Sequence, residues 1–349
     1  MLTANMQNFS GNLITWQQSH GRHTLPWQNT RDPYAIWVSE IMLQQTRVSA
    51  VIPYYQRFMA RFPIVASLAI ADEDEVLQHW SGLGYYSRAR NLHRAAQEVM
   101  QIHGGRFPQD FKTIQALPGI GRSTAAAVAV FAFGHRQPIL DGNVKRVFAR
   151  CFGIEGWPGQ PMVEKRLWAL AEKLLPESNI EIYTQGLMDL GATLCTRSKP
   201  DCDDCPLRAE CVARRDNRIM QLPAARPRKI IPQKQTVMLL LRNGNEVMLE
   251  KRPPTGIWGG LWSLPEIMPG EDARQAAQQR FGLETEVMPP LPVMAHVFTH
   301  FRLQITPQPL QLLRHLPQVR QAGIVWLDKE DAIDAALPTP VRKLLSSLK

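Results

Sequence analysis

Two carboxylic acids in the first half of the chain have surroundings suited to acid–base chemistry. Glu40 lies in a helical pattern in which Trp37, Ile41 and Gln44 share its face, so a carboxyl group stands on a mostly apolar stripe. Burial beside apolar groups disfavours the charged form of a carboxyl group and raises its pKa. Glu40 is therefore a candidate general acid that holds a proton near neutral pH.

Asp141 precedes a predicted helix, where an N-cap position favours the ionised form of a carboxyl group. An ionised carboxylate stabilises the positive charge that develops on a sugar when its glycosidic bond breaks. Two carboxyl groups with different environments would thus divide the work of breaking an N-glycosidic bond. The residues alone leave an alternative, in which Asp141 is only an N-cap and Glu40 has a buried partner.

Four cysteines lie within seventeen residues, with six, two and five residues between successive members: Cys195, Cys202, Cys205 and Cys211. In an intracellular protein such a cluster indicates metal binding rather than disulfides. Four thiolates suit zinc or an iron–sulfur cluster, and the spacing does not decide between them. A set of unrelated buried cysteines is the remaining alternative. Cys151 lies on the apolar face of a predicted helix and is expected to be a buried thiol.

The stretch Leu117–Val128 contains Pro118, Gly119 and Gly121 and continues as a small-residue helix to about Phe133. Glycines allow a ligand to approach the backbone closely, and the first N–H groups of a helix attract anions such as phosphates. The pattern predicts a helix-hairpin-helix that grips a nucleic-acid backbone. A helix turn without a ligand is the alternative.

The 349 residues suffice for two or more domains, and 40 Lys and Arg against 31 Asp and Glu give a net charge of +9. This balance suits a polyanionic partner. No apolar run approaches the roughly 20 residues of a membrane helix, and the start of the chain lacks a signal-peptide pattern. We therefore expect a soluble intracellular protein.

The element pattern predicts a helical part before a composition shift near residue 223 and a smaller α+β part after it. Helices are expected at 8–19, at 34 to about 47, at 163–174 and at 179–194. The second part has strands at Thr236–Leu241, Glu246–Lys251, 293–299, 301–306 and 323–327, and helices at 271–281 and 338–348.

Together, the hairpin, Asp141 and the four cysteines resemble the helix-hairpin-helix DNA glycosylase superfamily, which includes endonuclease III. The resemblance implies a mainly α catalytic domain over 1–225, with its active site between two modules. One is a six-helix module at about 25–135, and the other, from about 1–24 and 136–225, carries a [4Fe–4S] cluster at the four cysteines. A linker at 226–234 and a C-terminal domain at 235–349 would follow.

Two features narrow the resemblance to one family within the superfamily. Superfamily members that also cut the DNA backbone carry a Lys as a Schiff-base nucleophile in the turn after the second hairpin glycine, where this chain has Ser123. A hydroxyl cannot form that imine, so strong lyase activity is not expected. The segment Trp37–Thr46 is similar to that of adenine DNA glycosylases, which implies that Glu40 is the catalytic acid/base and that Asp141 stabilises the oxocarbenium-like sugar.

A base within a duplex must be extruded before an enzyme can act on it, and the gap must be filled. Gln44, Gln45 and Tyr85 suit such wedge roles, although Tyr85 could simply pack. Further expected DNA contacts are the hairpin residues and two cations near Asp141: Gly119, Gly121, Arg122, Ser123, Lys145 and Arg146.

The C-terminal domain resembles the Nudix fold. Ala276, Gln279 and Arg280 occupy the positions of the metal-binding glutamates, so pyrophosphatase activity is not expected. In adenine glycosylases this domain senses 8-oxoguanine through a Phe-Ser-His triplet, which corresponds here to Phe298-Thr299-His300. The alternative for the triplet is an ordinary strand.

The resulting hypothesis is a monofunctional adenine DNA glycosylase of base excision repair, acting on adenine opposite 8-oxoguanine or guanine in double-stranded DNA. We expect a monomer with one [4Fe–4S] cluster in the bacterial cytoplasm, associated with the nucleoid. The rivals are an endonuclease III-like glycosylase/lyase, a non-catalytic lesion-binding protein and a metal-dependent nucleotide pyrophosphatase.

Overall fold

The computed structural model describes residues 8–227, 231–316 and 322–348. They fall into two compact units. The first contains the chain up to Ile70 and Asn91–Arg228, and the second contains Ala71–Arg90 and Lys229–Lys349. The domain boundaries expected from the sequence remain a prediction. In the structure the segment Ala71–Arg90 groups with the C-terminal residues.

Helices account for the regular structure of the described chain up to residue 227, as the sequence predicts. They are α1 (Phe9–His20), α2 (Pro33–Leu43), α3 (Val48–Arg61), α4 (Val65–Ala69), α5 (Glu73–Trp80), α6 (Ser87–Ile102), α7 (Phe111–Ala116), α8 (Arg122–Phe133), α9 (Gly142–Cys151), α10 (Pro161–Lys173), α11 (Ile180–Thr193) and α12 (Val212–Arg215).

Helix α2 begins with Pro33 at its first turn and with Asp32 as N-cap, whose side chain accepts a hydrogen bond from the Tyr34 N–H. It ends at Leu43, so the prediction that it runs to about residue 47 was wrong. The reason is local: Gln45 adopts a left-handed backbone conformation with φ of 58°, which a helix cannot contain. The residues after Leu43 therefore form a turn.

One core of the first unit holds α9 in place. Phe9 of α1 packs edge-on against Phe148 of α9, with 5.9 Å between ring centroids, and against Tyr183 of α11 at 6.5 Å. Cys151 lies buried in the same core, which confirms its expected role as a core thiol. Aromatic packing thereby anchors α9, the helix that Asp141 caps.

Among its described residues from 231 onward, the second unit contains a mixed sheet and three helices. The elements are β1 (Gln233–Asn243), β2 (Glu246–Lys251), β3 (Trp262–Ser263), β4 (Glu266–Ile267), α13 (Ala273–Phe281), β5 (Leu283–Val287), β6 (Met294–Val297), β7 (Arg302–His315), β8 (Ile324–Asp328), α14 (Lys329–Asp334) and α15 (Thr339–Ser347). Strands β1 and β7 are parallel neighbours, and the other pairings are antiparallel, with the order β3-β2-β1-β7-β5.

The segment Ala71–Arg90 contacts the sheet side of the second unit through polar groups. Asp74 of α5 pairs with Lys251 of β2 and accepts a hydrogen bond from Trp262 Nε1 at 3.2 Å. Tyr86 donates its hydroxyl proton to the Leu337 carbonyl at 3.3 Å. Sequence periodicity carries no information on such long-range contacts.

Within the described residues, no helix combines the length and apolar character needed to cross a membrane.

A buried ion pair joins the end of α1 to α11. Asp189 is fully buried and accepts hydrogen bonds from the Arg22 backbone N–H at 2.8 Å and from Arg22 Nε at 2.7 Å. Gln185 Nε2 donates a third, at 2.8 Å. Removing one partner of a buried pair leaves the other charge poorly compensated.

We predict that Asp189→Asn lowers the free energy of unfolding by about 3 kcal/mol, because Arg22 loses its counter-charge. Urea unfolding measures the effect. The control is Glu177→Gln, which removes an exposed partner of Arg136 and should cost less than about 1 kcal/mol. Equal small losses in both variants would contradict the importance of the buried pair.

Candidate active site

A cleft of about 1580 Å³ opens in the first unit. The end of α1, the last turns of α2, the start of α8, the start of α9 and α11 line it. Several site residues predicted from the sequence meet there: Glu40, Gln44, Gln45, Gly121, Ser123, Asp141 and Arg146.

Glu40 projects from the last turns of α2, whose other residues are largely buried. Its side chain is half-buried and its accessible part lies at the cleft. Burial raises the pKa of Glu40 to about 8, and the negative charge of Asp141 adds to this rise. At neutral pH the Glu40 carboxyl group therefore holds a proton, as the sequence predicts.

Asp141 is the N-cap of α9, as predicted, and accepts a hydrogen bond from the Val144 N–H at 2.7 Å. Burial nevertheless raises the pKa of Asp141 above its usual range. The expectation that capping would set the direction of this shift was wrong, because desolvation outweighs two backbone hydrogen bonds and the charges of Arg146 and Lys145. These groups still favour ionisation of Asp141 over Glu40.

Helix α8 connects the two acid-bearing segments. Ser123 Oγ accepts a hydrogen bond from the Leu140 N–H at 3.0 Å, next to Asp141. Gln44 Nε2 donates to Thr124 Oγ1 at 3.2 Å, just beyond the end of α2. Two adjacent hydroxyl groups at the start of α8 thus fix the segments that carry Glu40 and Asp141.

The hairpin has the geometry expected for anion binding. Gly119 has a φ of 79°, and a Cβ there would lie 2.7 Å from the Asn91 Cβ, so only glycine fits. Gly121 is the N-cap of α8 and provides no side-chain cap. A Cβ on Gly121 would meet no atom within 4 Å. The first N–H groups of α8 are therefore open to a phosphate.

Two predicted DNA-binding cations have acidic partners within the protein. The Arg122 guanidinium lies 3.8 Å from the centroid of the Trp168 ring and pairs with Glu172. Lys145 pairs with Glu164 at 2.6 Å. These side chains remain predictions as phosphate contacts, and each would have to exchange or share its acidic partner.

Arg146 joins α9 to the cysteine loop. Its guanidinium donates to the Gly191 carbonyl at 2.7 Å, to the Cys195 carbonyl at 2.8 Å and to Asn143 Oδ1 at 2.8 Å. Because Arg146 also lines the cleft, it connects the surroundings of Asp141 with the loop that begins at Cys195.

The four clustered cysteines are free thiols that line one small pocket, together with Cys151, Val147 and Leu190. Across the part of the chain that is described, no three His, Cys, Asp or Glu side chains form a group able to hold a metal ion. The donor set itself, four thiols lining one pocket, suits iron–sulfur or zinc ligation.

Arg150 is a residue that sequence reasoning missed. It is 3% exposed, and its Nη1 donates to Cys195 Sγ at 3.4 Å and to the Thr196 carbonyl at 2.7 Å. Its Nε donates to the Leu222 carbonyl at 2.9 Å. One buried cation therefore joins the start of the cysteine loop to the segment at Leu222, beyond α12. A single Arg in a helical pattern gave no signal of this role.

Two of the predicted wedge residues have a left-handed backbone conformation. Among the described residues, six other than glycine have a positive φ, and three of these are Asn, which tolerates it. The remaining three are Gln45, Tyr85 and Trp258. Tyr85 has a φ of 51° and is 45% exposed. Such conformations cost on the order of 1–3 kcal/mol and cluster at functional sites.

The predicted lesion triplet lies in the second unit, at the tip of the hairpin between β6 and β7. The Phe298 N–H donates to the Phe301 carbonyl at 2.9 Å, which closes the loop. Thr299 and His300 are exposed. The alternative that the triplet belongs to an ordinary strand is therefore wrong.

On α13, Arg280 stands where a metal-binding glutamate would be expected. Its guanidinium pairs with Glu250 of β2 at 3.0 Å and donates to the Glu266 carbonyl at 2.7 Å. A cation in this position opposes binding of a divalent metal.

Two family models match the chain. Residues 38–173 match the HhH-GPD superfamily base excision DNA repair protein, and residues 236–347 match the NUDIX domain. These matches confirm the predicted combination of a helical glycosylase domain and a C-terminal Nudix-like α+β domain.

Similar proteins include an adenine DNA glycosylase from Buchnera aphidicola subsp. Acyrthosiphon pisum. It is 36% identical over 98% of this chain and 97% of its own length. The adenine DNA glycosylase of Homo sapiens is 32% identical over 98% of this chain and 74% of its own.

Solved structures show the same helical fold. A thermostable thymine-DNA glycosylase has a TM-score of 0.56 and 32% identity, covering 62% of this chain and 99% of that one. A non-covalent endonuclease III–DNA complex has a TM-score of 0.54, covering 62% and 98%. Its identity is 21%, so it supports the fold alone.

We predict that Glu40→Gln stabilises the protein relative to wild type increasingly as pH rises from 5 to 8. The wild-type carboxyl group is protonated when folded, with a pKa of about 8, and ionised when unfolded above its ordinary value of 4.5. Wild-type stability should therefore fall across this window by up to about 1.4 kcal/mol per pH unit.

Urea unfolding at several pH values, with Glu177→Gln as the surface control, measures the difference. A constant difference between Glu40→Gln and wild type from pH 5 to 8 would show that Glu40 is ionised in the folded protein.

Proposed function

Because this chain belongs to the adenine DNA glycosylase family, we propose that Glu40 and Asp141 are the residues with which it removes adenine from DNA. The chain is a DNA N-glycosylase of base excision repair. The observation that carries the assignment is the placement of both carboxyl groups in one cleft, with the pKa of Glu40 raised to about 8.

The reaction breaks the bond between the sugar C1′ and the adenine N9. Glu40 donates its proton to adenine N7. Adenine therefore leaves as a neutral base that keeps the electron pair of the broken bond. Water then adds its oxygen to C1′, and its proton returns to the Glu40 carboxylate. The products are free adenine and an abasic sugar, and Glu40 is protonated again.

Asp141 acts on the sugar, whereas Glu40 acts on the base. Its carboxylate faces the positive charge that develops on the sugar as adenine leaves. The hydrogen bond from the Val144 N–H and the cations nearby keep Asp141 the more acidic member of the pair. A proton on Glu40 and a charge on Asp141 are the complementary states that the reaction requires.

Ser123 supports a monofunctional reaction without strong lyase activity. Its Oγ accepts the Leu140 N–H at the cleft, in a position where lyases of the superfamily carry an amine. A hydroxyl cannot form the imine that leads to strand cleavage.

We propose that the cleft binds DNA. The specific substrate is adenine opposite 8-oxoguanine or guanine. Phe298-Thr299-His300 would recognise the lesion, since the exposed Thr and His can hydrogen-bond its altered edge. Gln44, Gln45 and Tyr85 would fill the gap left by the extruded base. The hairpin residues would bind phosphates, with Lys145 and Arg146 as further contacts.

We also propose that Cys195, Cys202, Cys205 and Cys211 hold a [4Fe–4S] cluster, for which their shared pocket and the Arg150 guanidinium provide suitable surroundings. When bound, the cluster would supply a rigid cross-link of the loop between α11 and α12. The chain's own contribution is the position of basic residues on that loop, including the exposed Arg197 and Lys199.

We further propose that the chain consists of a catalytic domain at 1–225, a linker at 226–234 and a lesion-recognition domain at 235–349. It would act as a monomer at the nucleoid in the bacterial cytoplasm.

We predict that Glu40→Gln lowers the single-turnover rate of adenine release from an A:8-oxoguanine duplex by about 10³-fold, because the proton donor is lost. Asp141→Asn should lower the same rate by at least about 10²-fold, although its Oδ1 can still cap α9. Duplex affinity should stay within a few-fold of wild type, with Glu177→Gln as control. Release by Glu40→Gln at the wild-type rate would reject the assignment.

We predict about four iron and four sulfide per chain in the purified protein. Cys202→Ser should lose more than half of the iron, whereas Cys151→Ser, which changes a thiol at the same pocket outside the ligand set, should retain it. Metal and sulfide analysis tests this. Zinc in place of iron, or equal loss in both variants, would contradict the proposed cluster.

A further inference from the structure

The loop between β2 and β3 holds a bulky residue in a left-handed conformation. Trp258 has a φ of 54°, which is a steric outlier for an aromatic residue. Hydrogen bonds across the loop maintain it: Arg252 N–H to the Leu261 carbonyl at 2.9 Å, and Gly260 N–H to the Pro253 carbonyl at 3.1 Å. A strained conformation persists only when its surroundings determine it, so this loop is rigidly specified.

The strain places the Trp258 ring beneath the proposed lesion loop. The side chain is 8% exposed and packs against His296 and Phe298, with ring centroids at 5.4 and 5.2 Å. Phe301 stacks on Phe298 at 4.5 Å. Phe298 is thus packed against Trp258 and His296 as well as Phe301, while Thr299 remains exposed.

The next residue links the same loop to the segment that carries Tyr85. The Gly259 carbonyl accepts a hydrogen bond from Arg90 Nη1, five residues beyond Tyr85. A Cβ on Gly259 would lie 2.6 Å from the Pro254 carbonyl oxygen, so the backbone is tightly packed at this point. Neighbouring residues of one loop therefore contact the lesion loop and the Tyr85 segment.

We propose that Trp258 is a positioning residue for the recognition of 8-oxoguanine, holding Phe298 at a fixed place relative to the Tyr85 segment. The inference rests on the proposed function of the lesion triplet. Trp258 is buried and acts through Phe298, without touching DNA. Its contribution is to affinity for the lesion duplex, and the acid–base step at Glu40 does not depend on it.

The test measures dissociation constants and single-turnover rates on A:8-oxoguanine and A:G duplexes. Trp258→Leu should weaken binding of the A:8-oxoguanine duplex about tenfold, since it removes two aromatic contacts that orient Phe298. The dissociation constant of the A:G duplex and the rate of adenine release from it should stay within twofold of wild type. Trp258→Phe should restore most of the preference. Trp326→Leu, which removes an aromatic contact to His315 in the same unit, is the matched control and should leave the preference intact.

Phe298→Ala, measured in parallel, separates this inference from the proposed function. Loss of preference in Phe298→Ala but not in Trp258→Leu would overturn the role of Trp258 alone. Retained preference in both variants would reject the lesion-loop assignment and this inference with it. Equal weakening on A:8-oxoguanine and A:G by Trp258→Leu, or a loss that Phe298→Ala does not share, would also overturn it.

Discussion

Two carboxyl groups share one partly desolvated cleft, and burial makes ionisation of both of them costly. The cost is distributed unequally. Asp141 receives two backbone hydrogen bonds and lies near Lys145 and Arg146, whereas Glu40 has burial and the charge of Asp141 against its ionisation. The proton therefore stays on Glu40 and the charge on Asp141. Every catalytic role assigned to this chain follows from that division.

The scaffold maintains the division by fixing where the two acids lie. Ser123 and Thr124 contact the segments on either side of the cleft, and both belong to the first turn of α8. The same turn has open N–H groups because its N-cap, Gly121, lacks a side chain. A phosphate bound there would dock DNA on the element that also sets the geometry of the acids. The proposed phosphate site and the placement of the acids therefore share one helix start.

Local signals in the sequence were sufficient for features that depend on local contacts. The N-cap role of Asp141, the glycine stop of α8 at Gly134 and the apolar surroundings of Glu40 all follow from neighbouring residues. These features need no knowledge of the tertiary structure.

Features that depend on distant contacts were missed or misjudged. The pKa of Asp141 is raised because desolvation by the whole fold exceeds the local effect of capping. A local feature was missed as well: α2 ends early because Gln45 is left-handed, a conformation that its side-chain type does not favour. Arg150 and Asp189 acquire their roles from acceptors and donors far along the chain. The grouping of the Tyr85 segment with the C-terminal unit is equally non-local.

The ionisation of Glu40 in the free protein is the quantity on which this account depends most directly. A ¹³C NMR titration of labelled glutamate side chains measures it, with the Glu40 resonance assigned by its absence in Glu40→Gln. The account predicts a midpoint at about pH 8. A midpoint below about pH 5, typical of a solvated glutamate, would contradict it.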